Sequence, residues 1–192
     1  MPITEERMKF EMEELARKIK FPSDDLSWLR KAMESKLLEN RPNIDGDNHK
    51  EYSNEGLSTV GDAILKAVIA DKLYSIDNIT RKGDITDKKK DLENNKTMHA
   101  LMTSSKMNLI GYSNNGDHFK KDESSNEANK VSCKKHDPYI EAIVGAAYYS
   151  VGYEATKEWV IEWLLPNLSK TNNLLKTSEK FEEVIKTCPN MN

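Results

Sequence analysis

Residues 51–74 read EYSNEGLSTVGDAILKAVIADKLY. At about 100° per residue, Leu57, Val60, Gly61, Ile64 and Val68 fall on one broad stripe, the spacing of a buried helical face. The pattern predicts a helix from about Asn54 to Tyr74. Glu55, Ser58 and Asp62 fall in a narrow sector opposite the centre of that stripe, so two carboxylates point the same way about two turns apart. Charge at helical spacing is commonly just a solvated face, and the pair acquires a sharper meaning only from the rest of the chain.

Working outward, helical signals continue and strand signals do not. Met8, Met12, Leu15 and Ile19 keep helical spacing, and Phe21-Pro22 ends that helix because proline cannot continue it. Ser23 reads as the N-cap of a second helix, with Asp24 and Asp25 in its first turn and Leu26, Leu29, Met33 and Leu37 inward. Residues 40–50, NRPNIDGDNHK, read as a loop. Residues 75–85 form a polar connection, Thr86 opens another helix with Leu92 inward, and a further one from about Asn95 carries Met98, Leu101 and Met102. Residues 111–136 are polar and aperiodic. Pro138 starts a helix through YIEAIVGAAYY, and Gly152 separates it from a helix with Ala155, Trp159, Val160, Trp163 and Leu164 inward. Pro166 is expected to stop that helix, and Leu174, Phe181 and Ile185 mark a weakly amphipathic tail. With no strand-like alternation and no internal repeat, the predicted fold class is all-α in one domain.

The chain's 192 residues suffice for one core. Cys133 and Cys188 lie far apart and neither belongs to a C-x-x-C pair, which argues against zinc and a disulfide framework and fits a reducing compartment. The start, MPITEERMKFEMEE, is acidic and amphipathic, and no run approaches the roughly 18 apolar residues of a membrane span. A protein with no membrane partner, intracellular and either cytoplasmic or nuclear, is the expectation. The net charge of −3 argues against a uniformly basic nucleic-acid binder. From Arg81 to Lys135, however, 12 Lys and Arg face 8 Asp and Glu, a net of +4 that leaves −7 on the remainder. That excess permits a local phosphate-binding surface, although clusters such as Lys88-Lys89-Lys90 are also ordinary solvated faces.

NEGLSTVGDAILKAVIADKLY resembles the signature helix of the ribonuclease III catalytic domain, and EAIVGAAYYSVGYEATKEWV resembles its second acidic helix with the Gly-containing turn that follows. Between them DITDKKKDLENNKTM matches the linking helices, with Ile85-Thr86, Lys89, Leu92, Asn94 and Thr97 in order. The likeness spans roughly residues 10–166, the segment 113–136 aligning poorly. It implies a catalytic domain over residues 1–168 and a C-terminal helical tail over 169–192, a tail that a truncation could have cut short. About 27 residues follow Leu165, too few for the double-stranded-RNA-binding domain found in relatives. The resemblance implies a ribonuclease III-like helical bundle and an endoribonuclease acting on double-stranded RNA. Mg²⁺ is the implied cofactor, with Mn²⁺ able to substitute, and a homodimer the implied assembly. By position, Glu55, Asp62, Asp137 and Glu141 are the candidate catalytic residues, with Asp62, Glu141 and Asp137 as metal ligands. Hydrolysing a phosphodiester requires an activated water and a leaving oxygen whose growing charge is neutralised, which hard oxygen ligands around Mg²⁺ achieve.

Three positions depart from the family pattern. Ser58 replaces an acidic residue three positions after Glu55 and is a poor Mg²⁺ ligand. Pro138 occupies the position of an aspartate three residues before Glu141. Asp137, at i−4, can share a face with Glu141, or it can simply cap the helix that Pro138 begins. Thr59 stands where relatives carry a bulky aromatic that inserts into the partner subunit, which predicts a weaker or differently packed dimer. Two other functions compete with cleavage. One is a catalytically inactive member of the same fold that binds RNA or serves a structural role in a ribonucleoprotein; the other is a helical interaction module whose acidic face is only solvated.

Overall fold

The computed structural model describes residues 5–33, 54–104, 107 and 139–187. Leu37, Asp137, Pro138 and the segments 40–50 and 111–136 lie outside the described residues, as do the side chains of Phe181 and Ile185. The described chain is helical, with no strand among the described residues: α1 (Glu5–Ile19), α2 (Ser27–Ala32), α3 (Glu55–Asp71), α4 (Lys82–Leu92), α5 (Asn95–Thr103), α6 (Tyr139–Trp159) and α7 (Leu165–Thr187). The centre of the bundle is α3 packed along α6, with α2 on another side of α6 and α7 covering α4 and α5.

Met12, Leu15 and Ile19 are buried, as their spacing predicts. Helix α1 ends in a Schellman turn: Lys20 takes a left-handed conformation (φ 50°), and the Phe21 amide donates to the Ala16 carbonyl at 2.8 Å. The indole N–H of Trp159 reaches across the molecule to the Ile19 carbonyl at 2.9 Å, satisfying an acceptor that the helix end leaves over. Phe21 meets the same ring edge-on at 6.2 Å.

The second helix starts later than Ser23. Ser23 and Asp25 instead make local turns, the Ser23 hydroxyl accepting from the Asp25 amide and the Asp25 carboxylate from the Ser27 amide, so α2 begins only at Ser27. Short polar side chains that can bond the backbone two residues on favour such turns over a helical start. Leu29 and Met33 are buried, and Trp28 stacks on Tyr149 of α6 at 4.7 Å between centroids. Asn54 anchors the start of α3 through its side-chain amide, which donates to the Ala32 carbonyl at 3.0 Å.

Helix α3 continues as a π-helical turn over Lys72–Ile76 and stops before Asn78, whose φ is 53°. Helix α4 opens at Lys82, four residues before Thr86, and Asn94 caps α5 by accepting from the Lys96 amide. Gly152 bends α6, with φ 77° and ψ −178°, a conformation that glycine alone adopts at little cost. Pro166 does not stop the last helix. A π-helical turn at Val160–Leu164 runs directly into it, and Pro166, the second residue of α7, is carried inside that continuous helical run, the wider π turn accommodating a ring that an unbroken α-helix would not. Helix α7 therefore runs through the boundary at residue 168 that the sequence suggested, and its first half is docked by a buried Thr97–Asn172 hydrogen bond of 3.3 Å and a Lys176–Asp91 ion pair of 2.8 Å.

Candidate active site at the crossing of α3 and α6

Two glycines let α3 and α6 touch backbone to backbone. A methyl group on Gly61 would collide with the carbonyl of Glu141, and one on Gly145 with the carbonyl of Leu57. No other residue permits that approach, and its consequence is chemical: it places Glu141, in the first turn of α6, directly against the turn of α3 that carries Asp62. Glu141 is buried at 4% exposure. Asp62 is partly exposed, its side chain retaining 36% of its surface, and it pairs with Lys66 at 2.6 Å.

The buried face of α3 is rotated from the one its apolar residues outline. Leu57, Ser58, Gly61, Leu65, Val68 and Ile69 are buried, whereas Val60 and Ile64 are only partly so. The centre of burial thus shifts by roughly 60° toward Ser58. Ser58, expected on the polar side, lies inside at 8% exposure, and Asp62 stands on the shoulder of the contact with α6. The Ser58 hydroxyl donates to the Glu55 carbonyl at 2.9 Å, a bond spent within its own helix. Glu55 is exposed at the first position of α3, about 10 Å along the axis from Asp62. Thr59 is exposed as well, its hydroxyl bonded to the same Glu55 carbonyl. Asp62 and Glu141 are therefore brought to one crossing, Glu55 stands further along the helix, and Asp137 falls outside the described residues.

Two residues at this crossing carry no motif that singles them out. The Lys66 ammonium is held above its ordinary pKa by the hydrogen bond to Asp62 first, against some desolvation, and then by the charges of Asp62, Glu93 and Glu141. Glu93 follows α4 directly, with its amide bonded to the Lys89 carbonyl. Its side chain retains 19% of its surface and lies 3.2 Å from the Lys89 ammonium. That approach is an ion pair without hydrogen-bond alignment, since the same oxygen, Oε1, is buried and, among the described residues, accepts no hydrogen bond. The sequence gives no sign of Glu93, because a single glutamate at a helix end in a run of charges looks solvated.

The donor chemistry at the crossing fits a hard divalent cation. Mg²⁺ takes oxygen ligands and retains several waters, so one or two carboxylates suffice to hold it. Among the described residues no group of three or more His, Cys, Asp and Glu side chains could hold a metal ion unaided.

Comparison with known proteins gives the class. The ribonuclease III domain family matches residues 55–152, a span that opens at Glu55 and closes at the Gly152 bend, and the chain belongs to that family. Ribonuclease 3 of Francisella tularensis subsp. novicida (strain U112) is 25% identical over 138 residues, covering 68% of this chain and 55% of the relative. The enzyme from subsp. holarctica (strain OSU18) is 26% identical over the same length. The chain thus spans about half the length of these curated relatives. Among solved structures, the nuclease domain of ribonuclease III from Campylobacter jejuni, described with structural flexibility in a region involved in dimer formation, superposes with a TM-score of 0.58. It is 23% identical, and the match covers 84% of this chain and 97% of that one, which supports the all-α fold.

Proposed function

We propose that this protein is an endoribonuclease that hydrolyses phosphodiester bonds of double-stranded RNA with a divalent cation, Mg²⁺ or Mn²⁺, held by Asp62 and Glu141. The observation that carries the reading is the glycine-mediated contact of α3 with α6, which sets Glu141 beside the Asp62 turn in a chain of the ribonuclease III family. When bound, the cation supplies an activated water and offsets charge on the leaving oxygen. Glu141 is buried, with its main-chain carbonyl against Gly61; Asp62, on the rim, keeps about a third of its side chain in the solvent from which RNA would arrive. Glu55 and Asp137 complete the proposed acidic set, Glu55 from the first turn of α3. Backbone recognition of A-form RNA would make binding largely independent of sequence and sensitive to salt.

The proposed assembly is a homodimer through the exposed face of α3, where Gly56, Thr59, Ala63 and Ala67 present small side chains to solvent. Incubation of the protein with long double-stranded RNA and Mg²⁺, Mn²⁺ or chelator tests the reading. Cleavage with either metal and none with chelator is expected, lost in Asp62→Asn and Glu141→Gln. Duplex binding without cleavage under every metal condition would overturn it and assign the chain a structural or RNA-binding role instead.

A further inference from the structure

Lys66, one turn after Asp62 on α3, bonds the Asp62 carboxylate at 2.6 Å beside the turn of α6 that carries Glu141, and the charges of Glu93 and Glu141 add to that bond in raising its pKa. We propose that Lys66 is the resident counter-ion of the acidic crossing, paired with Asp62 in the metal-free protein, and that a divalent cation binds by displacing it toward Glu93. This rests on the reading of Asp62 and Glu141 as cation ligands and adds two residues to that site. The geometry favours such an exchange. Lys66 bonds the very oxygen-bearing group a cation needs, at 2.6 Å, with about half its side chain still in solvent (48%), so it is free to leave. Glu93 provides a destination: its Oε1 is buried and, among the described residues, accepts no hydrogen bond, Lys89 lying 3.2 Å away without hydrogen-bond alignment. Ser58 lightens the charge there: its neutral hydroxyl is bonded to its own helix, so Lys66 faces one carboxylate fewer beside Asp62 and offsets a larger share of the negative charge that remains.

The test is direct Mn²⁺ binding in the absence of RNA, followed by the electron paramagnetic resonance signal of the free ion. Removing the competitor and its repulsion, Lys66→Met should tighten Mn²⁺ binding by about threefold to tenfold, and Lys66→Arg should leave it near the wild type. Glu93→Gln, which removes a negative charge and the place to which Lys66 moves, should weaken binding by about threefold. Lys157→Met, which opens a comparable ion pair with Asp71 away from the crossing, serves as the control and should change nothing. Mn²⁺ binding that is equal or weaker in Lys66→Met, or equally tightened by Lys157→Met, overturns the displacement. No Mn²⁺ binding by the wild type or by Lys66→Met overturns the metal reading itself, so the two failures are told apart.

Discussion

Gly61 and Asp62 are neighbours with opposite tasks, one removing bulk so that two backbones meet and the other projecting charge from the edge of that meeting. Gly61→Ala should cost about 3 kcal/mol or more, because the obstacle is the Glu141 carbonyl rather than a side chain that can turn aside. Gly56→Ala, with nothing within 4 Å of the added carbon, should instead stabilise by about 0.5 kcal/mol through the unfolded chain; urea unfolding of both variants measures the contrast. Ser58→Glu should lower the Mn²⁺ concentration for half-saturation, at a cost of about 1–3 kcal/mol for placing a charge at a buried position, read by the same metal titration and unfolding curves. Asp62 and Glu141, which the fold brings to one crossing, were legible in the sequence through the resemblance of their two helices to the ribonuclease III motifs, since helical spacing alone reads as a solvated face. Glu93 and Lys66 were not, since what distinguishes them is convergence from separate elements, a property that no local pattern records.

At the level of the helices, apolar periodicity carried the fold class and the inward sides of α1 and α5, and proline and glycine marked the end of α1 and the bend in α6. Errors gathered where local signals compete. Ser23 and Asp25 resemble caps and form turns, and Pro166 reads as a stop yet is accommodated by the π-helical turn before it. The rotation of the α3 face had a different cause: the apolar stripe was averaged over Val60 and Ile64, which are only partly buried, and a small serine is as easily enclosed as a valine. Two contacts between elements should be measurable. Trp159→Phe keeps the ring but leaves the Ile19 carbonyl without its donor, a loss of about 1–3 kcal/mol by chemical denaturation. Across the Gly152 bend, Lys157 ties α6 to Asp71 at the end of α3. Its hydrogen bond, with help from Ser75, holds the Asp71 carboxyl below the ordinary 3.8, while Lys157 is raised above 10.5, chiefly by the same bond. A lowered acid stabilises fully above its unfolded pKa and loses that contribution as pH falls through the folded value; a raised base does the reverse in alkali. The melting-temperature gap between wild type and Asp71→Asn should therefore be level through neutral pH, shrink in acid below 3.8 and shrink again above 10.5.

For the molecule as a whole, the exposed strip of α3 and the acidic crossing occupy different sides of the same helix, so assembly and chemistry can be separated. Thr59→Lys, placed in the middle of that strip, should convert the proposed dimer to monomer in sedimentation experiments while leaving the melting profile of the subunit in place. A wild-type protein that sediments only as monomer would remove the dimer proposal. The contact of α3 with α6 also sets how the molecule comes apart. Where side chains separate two helices, thermal motion can be absorbed rotamer by rotamer; where main chains touch, there is no such cushion, and water enters only when both helices part together. Amides around Gly61 and Gly145 should thus exchange with deuterium only through opening of the entire bundle, while those of α4, which buries no residue, should exchange early through local fraying. Asp62 and Glu141, the proposed metal ligands, would then stand on the last joint to open, so that the protein, warmed toward unfolding, keeps this crossing longer than its periphery.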